Sequence, residues 1–388
     1  MALADSLGRV VASDIQSPIP VPAFANSAMD GYAVRCGDLA SQGPTKLTVQ
    51  GQSLAGHPYQ EQLLPNQAIR IFTGAALPPG ADTIVIQENT SVSTEAKNSL
   101  VTINERPNEG AYVRPIGHDV AEGSLLLAAG TRLRAFEIAS ATTSGLSEVE
   151  VFKPLKIGVF ATGDELRTPG TPLGPGEIYE SNRIAITQLL HGLPLQITDL
   201  GVLPDNPEAT RKALLEASHE QDALITSGGV SVGDADFVRD AIAALGAIDF
   251  WRLNLRPGKP FAFGHIALEE DQRCLIFGLP GNPVSTIVTL LLLVKPALWY
   301  MAGGPITLPQ TLRVPLSQRV SHSPGRHEYQ RGRLELTASG SVVTTTSDQS
   351  SNRLQSFANA NCLFLVPGDV AELEALELVD VLPFDGLT

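Results

Sequence analysis

The chain has 388 residues, too many for one ordinary core at roughly 100–200 residues per domain, and so reads as about two to four domains. With 43% hydrophobic and 18% charged residues it has a globular composition, and its longest apolar run, Ile287 to Val294, stops at Lys295-Pro296, short of the roughly 18 residues of a membrane span. A net charge of −14 argues against sequence-independent nucleic-acid binding, which needs many Lys and Arg to neutralise phosphates. Cys36, Cys274 and Cys362 lie far apart without CxxC spacing, so neither a disulfide framework nor a thiolate zinc site is expected. The amino terminus carries no basic, apolar, cleavable pattern, and the expected location is the reducing cytoplasm. The seven histidines show no metal-ligand spacing.

In chain order, residues 1–22 and 124–154 hold a strand-like Arg9 to Ile15 and a helical Ala135 to Thr143. They bracket residues 23–123 and are expected to pair into one connecting domain. The bracketed segment has short alternating runs at Ala68 to Phe72, Thr83 to Gln87 and Leu100 to Ile103, which predict an inserted β-rich domain. From Lys156 the pattern turns to strand and helix in alternation. Strands are predicted at Lys156 to Ala161, Leu195 to Leu200, Ala223 to Thr226, Ile248 to Leu253, Phe261 to Phe263 and Cys274 to Phe277. Helices are predicted at Asn182 to His191, Pro207 to Ser218 with Asn206 as N-cap, Phe237 to Leu245, and Pro283 to about Met301. This alternation makes residues 155–303 a three-layer α/β/α domain around a mostly parallel sheet. Gly303 to Pro309 reads as a linker. Strands at Thr311 to Pro315, Gly332 to Leu336, Ser341 to Thr346 and Cys362 to Val366 then make residues 304–388 a C-terminal β domain. The fold class is α/β plus β.

Five motifs carry chemistry. Asn26-Ser27-Ala28-Met29-Asp30-Gly31-Tyr32-Ala33-Val34-Arg35 has polar, turn-forming and acidic residues without helical or strand periodicity, as a ligand-serving loop would, or a solvated turn before a strand. Thr162-Gly163-Asp164-Glu165-Leu166 follows the carboxyl end of a predicted parallel strand, where open α/β sheets place ligands. Its two carboxylates suit a metal and a ring or sugar; a capping Asp beside a surface Glu is the plainer alternative. Ser227-Gly228-Gly229-Val230-Ser231-Val232-Gly233-Asp234-Ala235-Asp236 suits a phosphate-cradling nest, or a tight strand-to-helix connection capped by Asp234. A carboxylate such as Asp236 beside a phosphate requires a cation between them, and Mg²⁺ binds in that way. Arg256-Pro257-Gly258-Lys259-Pro260 holds two cations on a stiff turn. Gly278-Leu279-Pro280-Gly281-Asn282-Pro283-Val284-Ser285 opens a helix, with Asn282 as N-cap, whose first-turn amides and Ser285 hydroxyl form a second anion site. Arg252, Arg256 and Lys259 cluster in one short stretch and Arg326, Arg331 and Arg333 in another; each cluster is either a local site for a small anion or a set of solvated side chains. Molybdate, sulfate and phosphate all fit such a site.

In this order the five motifs resemble the molybdopterin molybdenumtransferase family, over nearly the whole chain. The resemblance implies an elongated multidomain chain whose central domain is molybdopterin-binding-like. It implies an enzyme that takes adenylylated molybdopterin, releases AMP with Mg²⁺, and inserts molybdenum from molybdate. The catalytic set it implies is Asp30, Asp164, Glu165, Asp205 and Asp236, with Asp164, Glu165 and Asp236 as metal ligands. Substrate would meet Thr73, Arg114, Asp119, Ser227, Gly228, Gly229, Ser231, Arg252, Arg256 and Lys259. Molybdate would meet Lys259, Ser285, the arginine of Pro324-Gly325-Arg326, and Ser351 of the pair Ser350-Ser351. Relatives are homodimers whose cleft is built from both chains, so Asp30, Thr73 and Asp119 are expected to act on the partner's loops. No nucleic acid and no membrane are expected as partners. The alternative is a cofactor-binding or scaffold protein of the same fold without metal insertion.

Overall fold

The computed structural model describes residues 1–95, 98–203, 205–230, 237–269, 272–338, 340–346 and 348–386. Two compact units account for them, one of residues 1–7 and 11–151, the other of residues 8–10 and 152–388.

In the first unit six strands form one sheet: Gly31–Val34 (β1), Thr45–Ser53 (β2), Gln67–Ile71 (β3), Thr83–Ile86 (β4), Thr90–Glu95 (β5) and Asn98–Ile103 (β6), in spatial order β4-β1-β3-β2-β6-β5. Only β2 and β3 run parallel. Period-two alternation along β1 sends Tyr32 and Val34 to one core with Leu47 and Val101, and Ala33 to another with Ile69 and Ile84. Gly31 is obligatory at the start of β1, because a Cβ there would lie 2.0 Å from the Val85 carbonyl oxygen. A further core unites the ends of the unit: Leu3 and Val11 pack with Leu127, Leu133, Ala141 and Val149. The helix Ala135–Thr143 (α1) forms as the sequence indicates. Arg9 to Ile15 is not a continuous strand. Val10 and Val11 are consecutive and both fully buried, which a one-sided strand forbids, and Asp14 leaves the ladder to accept the Ala129 N–H at 2.8 Å. Pairing resumes only at Ile15–Gln16, opposite Leu125–Leu127.

The second unit holds a six-stranded sheet of Leu155–Thr162 (β7), Leu195–Leu203 (β8), Ala223–Ser227 (β9), Gly246–Trp251 (β10), Ala262–Ala267 (β11) and Arg273–Leu279 (β12), ordered β8-β7-β9-β12-β11-β10. The first four run parallel, β11 pairs antiparallel with β12, and β10 pairs antiparallel with β11. Residues 157–162 of β7 are all buried, as a strand covered on both faces requires. Helices Asn182–Leu189 (α2) and Pro283–Met301 (α5) cover one face through Ile186, Leu190, Leu290, Val294 and Leu298. Helices Pro207–Ser218 (α3) and Phe237–Leu245 (α4) cover the other through Leu214, Val238 and Ile242. Asn206 caps α3 as read, its side chain accepting from the Glu208 and Ala209 amides at 3.1 and 3.0 Å.

By length and composition α5 could cross a membrane, yet Val284, Val288, Leu291, Val294 and Leu298 are packed inside the protein. It widens to a π turn over Leu290–Val294, directly before Pro296. A proline ring clashes with the carbonyl four residues back and offers no N–H, and the wider turn lets the helix continue past it.

The last strands are Leu312–Pro315 (β13), His327–Thr337 (β14), Gly340–Thr345 (β15), Cys362–Val366 (β16) and Leu378–Pro383 (β17), in the order β14-β16-β17-β13 with β15 beside β14. A two-residue strand from the α/β segment, Leu255–Arg256, joins this sheet in parallel with His327–Glu328. Val284, Ile287, Val288 and Leu291 of α5 share a core with Leu363 and Leu382.

Candidate active site

A cleft of about 1020 Å³ opens where the strand ends of the α/β segment meet the C-terminal sheet. It gathers Glu165, Ser227, Gly228, Gly229, Arg256, Lys259, Ser285, Arg326 and Ser351 from the residues expected in the site. Asp164, Asp205 and Arg252 do not line it. Ser231 and Asp236, with the rest of 231–236, lie outside the described residues.

The glycines are used for close approach. At Gly228 the backbone has φ 90°, and a Cβ would come within 2.8 Å of the Thr162 carbonyl oxygen. Its N–H donates to the Leu279 carbonyl at 3.1 Å. That amide therefore ties two loops together, while the Gly233 part of the nest read from sequence lies outside the described residues. Ser227 is also a tie: it is buried, and its Oγ accepts from Asn182 Nδ2 at 2.7 Å. The same Asn182 amide donates to the Gly281 carbonyl at 2.7 Å. Asn182 lines the cleft and is missing from the residues read off the sequence; the only signal is its place at the start of a helix facing the glycine loops.

Asp164 and Asp205 meet beside the cleft, where the Asp205 N–H donates to Asp164 Oδ1 at 3.2 Å. Partial burial, then the neighbouring charges of Asp164 and Glu165, push the Asp205 carboxyl above the usual carboxylate range. Among the described residues no three side chains of metal-ligating type come together. Mg²⁺, however, binds through one or two carboxylates plus phosphate oxygens, and crowded like charges are what such a cation relieves, so this corner fits one.

The cationic wall is built by the Arg256–Pro260 turn. Gly258 at φ 120° lets the turn press on α5, since a Cβ would lie 2.5 Å from Thr289 Cγ2. Arg256 and Lys259 line the cleft, whereas Arg252 stands outside it in the left-handed region at φ 79°. Asn282 holds the N-cap position of α5 but its side chain does not cap; Nδ2 reaches Ser351 Oγ at 3.2 Å instead. The cap is supplied from another segment, because the Val284 N–H donates to the Ser351 carbonyl at 3.1 Å. Of the second arginine cluster only Arg326 lines the cleft. Arg331 is fully buried, and Arg333 Nε donates to Glu335 at 2.9 Å.

In the first unit Asp30 and Thr73 come together. Asp30 Oδ1 accepts from both the amide and the hydroxyl of Thr73 at 2.8 Å, and these bonds, helped by the charge of Arg70, hold the carboxyl below its ordinary range. Asn26 and Ser27 of the same motif are buried, and Ser27 Oγ donates to the Met29 carbonyl at 2.5 Å, so they shape the turn. Arg114 is exposed opposite Asn26 in a strand pair, and Asp119 is exposed in the following turn, its N–H on the Val21 carbonyl at 2.9 Å.

Three family models match in succession: MoeA N-terminal region (domain I and II) over residues 1–145, probable molybdopterin binding domain over 158–299, and MoeA C-terminal region (domain IV) over 313–384. The chain is similar to the molybdopterin molybdenumtransferase of Haemophilus influenzae, 38% identical over 99% of this chain and 93% of that one. It is similar to that of Nostoc sp. at 36% identity over 93% and 83%. Among solved structures, the molybdopterin biosynthesis moeA protein from Pyrococcus horikoshii OT3 superposes with a TM-score of 0.84 at 26% identity, over 99% of this chain and 93% of that one. Three family models in succession and relatives of this similarity along the full chain make it a member of the molybdopterin molybdenumtransferase family.

Proposed function

We propose that this enzyme of molybdenum cofactor biosynthesis takes adenylylated molybdopterin, splits its phosphoanhydride bond, releases AMP and inserts molybdenum from molybdate into the dithiolene. The observation that carries this reading is a single cleft lined by Glu165 and the Ser227–Gly229 loop together with Arg256, Lys259, Ser285, Arg326 and Ser351. Nucleotide and pyrophosphate belong at the strand-end loops. A tetrahedral oxyanion belongs among Lys259, Arg326, Ser285, Ser351 and the first turn of α5, where cations and a helix N-terminus favour negative charge. Asp164 and Asp205, with Asp236, would hold Mg²⁺. When bound it supplies Lewis-acid polarisation of a phosphoryl oxygen. Arg256 and Lys259 offset the charge of the pterin phosphate and orient it, and Glu165 accepts hydrogen bonds from the nucleotide. A homodimer in which Asp30 and Thr73 of one chain serve the loops of the other completes the proposal, by family likeness. Three buried free cysteines suit a reducing cytoplasm.

The test is transfer in vitro with purified protein, adenylylated molybdopterin, molybdate and Mg²⁺. AMP release and activation of an apo-molybdoenzyme are expected. Binding of the pterin without AMP release would leave a carrier in place of a transferase.

A further inference from the structure

Among the described residues Arg331 is the largest fully buried side chain, and no carboxylate pairs with it directly. Burial pulls its guanidinium down to about 10, against the weaker pull of Glu328 and Asp348. An apolar residue would occupy the space at lower cost, so fold stability alone does not account for a cation there.

Its side-chain hydrogen bonds all go to one segment, residues 348–356. Nη2 donates to the carbonyls of Asp348 and Ser350, each at 3.1 Å, and Nε to Ser356 Oγ at 3.0 Å. Its backbone clasps Gln349 from both sides: the N–H donates to Gln349 Oε1 at 2.9 Å and the carbonyl accepts from Nε2 at 3.0 Å. Gln349, Ser350 and Ser351 line the cleft, and Ser351 is also the residue that caps α5 and meets Asn282. A planar fork with several fixed donors can tie two carbonyls and a hydroxyl at once; an ammonium cannot.

We propose that Arg331 is a positioning residue that fixes the Gln349–Ser351 segment against the start of α5 and so sets the affinity of the cleft for the tetrahedral oxyanion, separately from the nucleotide. The assignment of the oxyanion rests on the function proposed above.

The experiment titrates molybdate at fixed adenylylated molybdopterin, and the pterin at fixed molybdate, for wild type, Arg331→Gln, Arg331→Lys, Arg331→Ala with and without free guanidinium, and Ser356→Ala. Arg331→Gln raises half-saturating molybdate about tenfold, below the roughly hundredfold that a full ångström of misplacement can cost, with half-saturating pterin within about twofold. Arg331→Lys does not restore it, and free guanidinium added to Arg331→Ala does so in part. Ser356→Ala, which removes one anchor only, gives a shift of about two- to threefold in the same direction. Equal rises for both ligands, or Ser356→Ala and Arg331→Gln at wild-type affinity, overturn the positioning role. Should Arg331→Gln not fold, an unchanged Ser356→Ala overturns it alone. A wild type with no molybdate saturation overturns the functional reading and this inference with it.

Discussion

Arg256 Nε lies 3.5 Å from Glu328 Oε1, and the other oxygen of that carboxylate meets His322 Nδ1 at 2.6 Å. Arg256 and Glu328 are also register partners in the parallel strand pair that links the α/β segment to the C-terminal sheet. A cation of the cleft is thus anchored on a buried acid. Glu328→Gln is expected to lower stability by about 3 kcal/mol, because the histidine and arginine both lose their charged partner. A denaturant midpoint equal to wild type would show that the carboxylate is dispensable.

Gly228→Ala places a Cβ 2.8 Å from a backbone oxygen and forces a side chain into φ 90°. The expected cost is about 1–3 kcal/mol, together with loss of nucleotide binding as the loop retreats from Thr162. Calorimetric titration with the adenylylated pterin checks it; full affinity in the variant would mean that the loop tolerates a side chain.

Asp205→Asn tests the crowded acids. With its folded carboxyl raised above the ordinary range, the native chain binds the extra proton. The stabilisation is complete below the unfolded value and is lost as pH rises through the folded one. At neutral pH the variant should therefore be more stable than wild type without Mg²⁺, by under about 1 kcal/mol given solvent screening, and equal to it near pH 3. Thermal melts at the two pH values read the difference. Added Mg²⁺ should raise the wild-type melting temperature more than the variant's.

Arg326→Ala should weaken the response to molybdate by about tenfold and leave pterin affinity within a factor of about two, since a charge-assisted contact to the oxyanion is lost alone. Equal loss of both affinities would place the two ligands on one set of groups.

Asp30→Ala and Asp236→Asn, each poorly active, should complement after subunit exchange. If each cleft draws the two residues from different chains, about half of random dimers are mixed and each has one intact cleft, so activity returns to roughly a quarter of wild type. No recovery despite proven exchange would reject the shared cleft and leave the enzymatic proposal standing.

What the sequence disclosed follows the reach of its signals. The helix over Pro207–Ser218 was legible because Asn206 and Pro207 act locally, and β7 because an apolar run needs cover on both faces. Arg326 stood out in its own segment only as one of three nearby arginines, and Ser351 only by likeness of short motifs; what brings both to the cleft is tertiary. The tie made by the Gly228 amide was not legible, because a glycine that admits an anion and one that admits a neighbouring carbonyl look alike in sequence, and the partner Leu279 is distant in the chain. Asn282 holds the N-cap position that the sequence indicates, but the partner of its side chain, Ser351, is distant in the chain and could not be read locally. Asn182 and Arg331 exert their effects through partners that no local window contains.

The short strand Leu255–Arg256 bears on modularity. A fragment ending near residue 303 would retain its parallel sheet but strip Leu255–Arg256 of its ladder and uncover Val284, Val288 and Leu291, whose neighbours Leu363 and Leu382 would be gone. Residues 152–388 should therefore unfold as one cooperative block, and neither half is expected to serve as a portable cassette that carries its part of the chemistry into another protein.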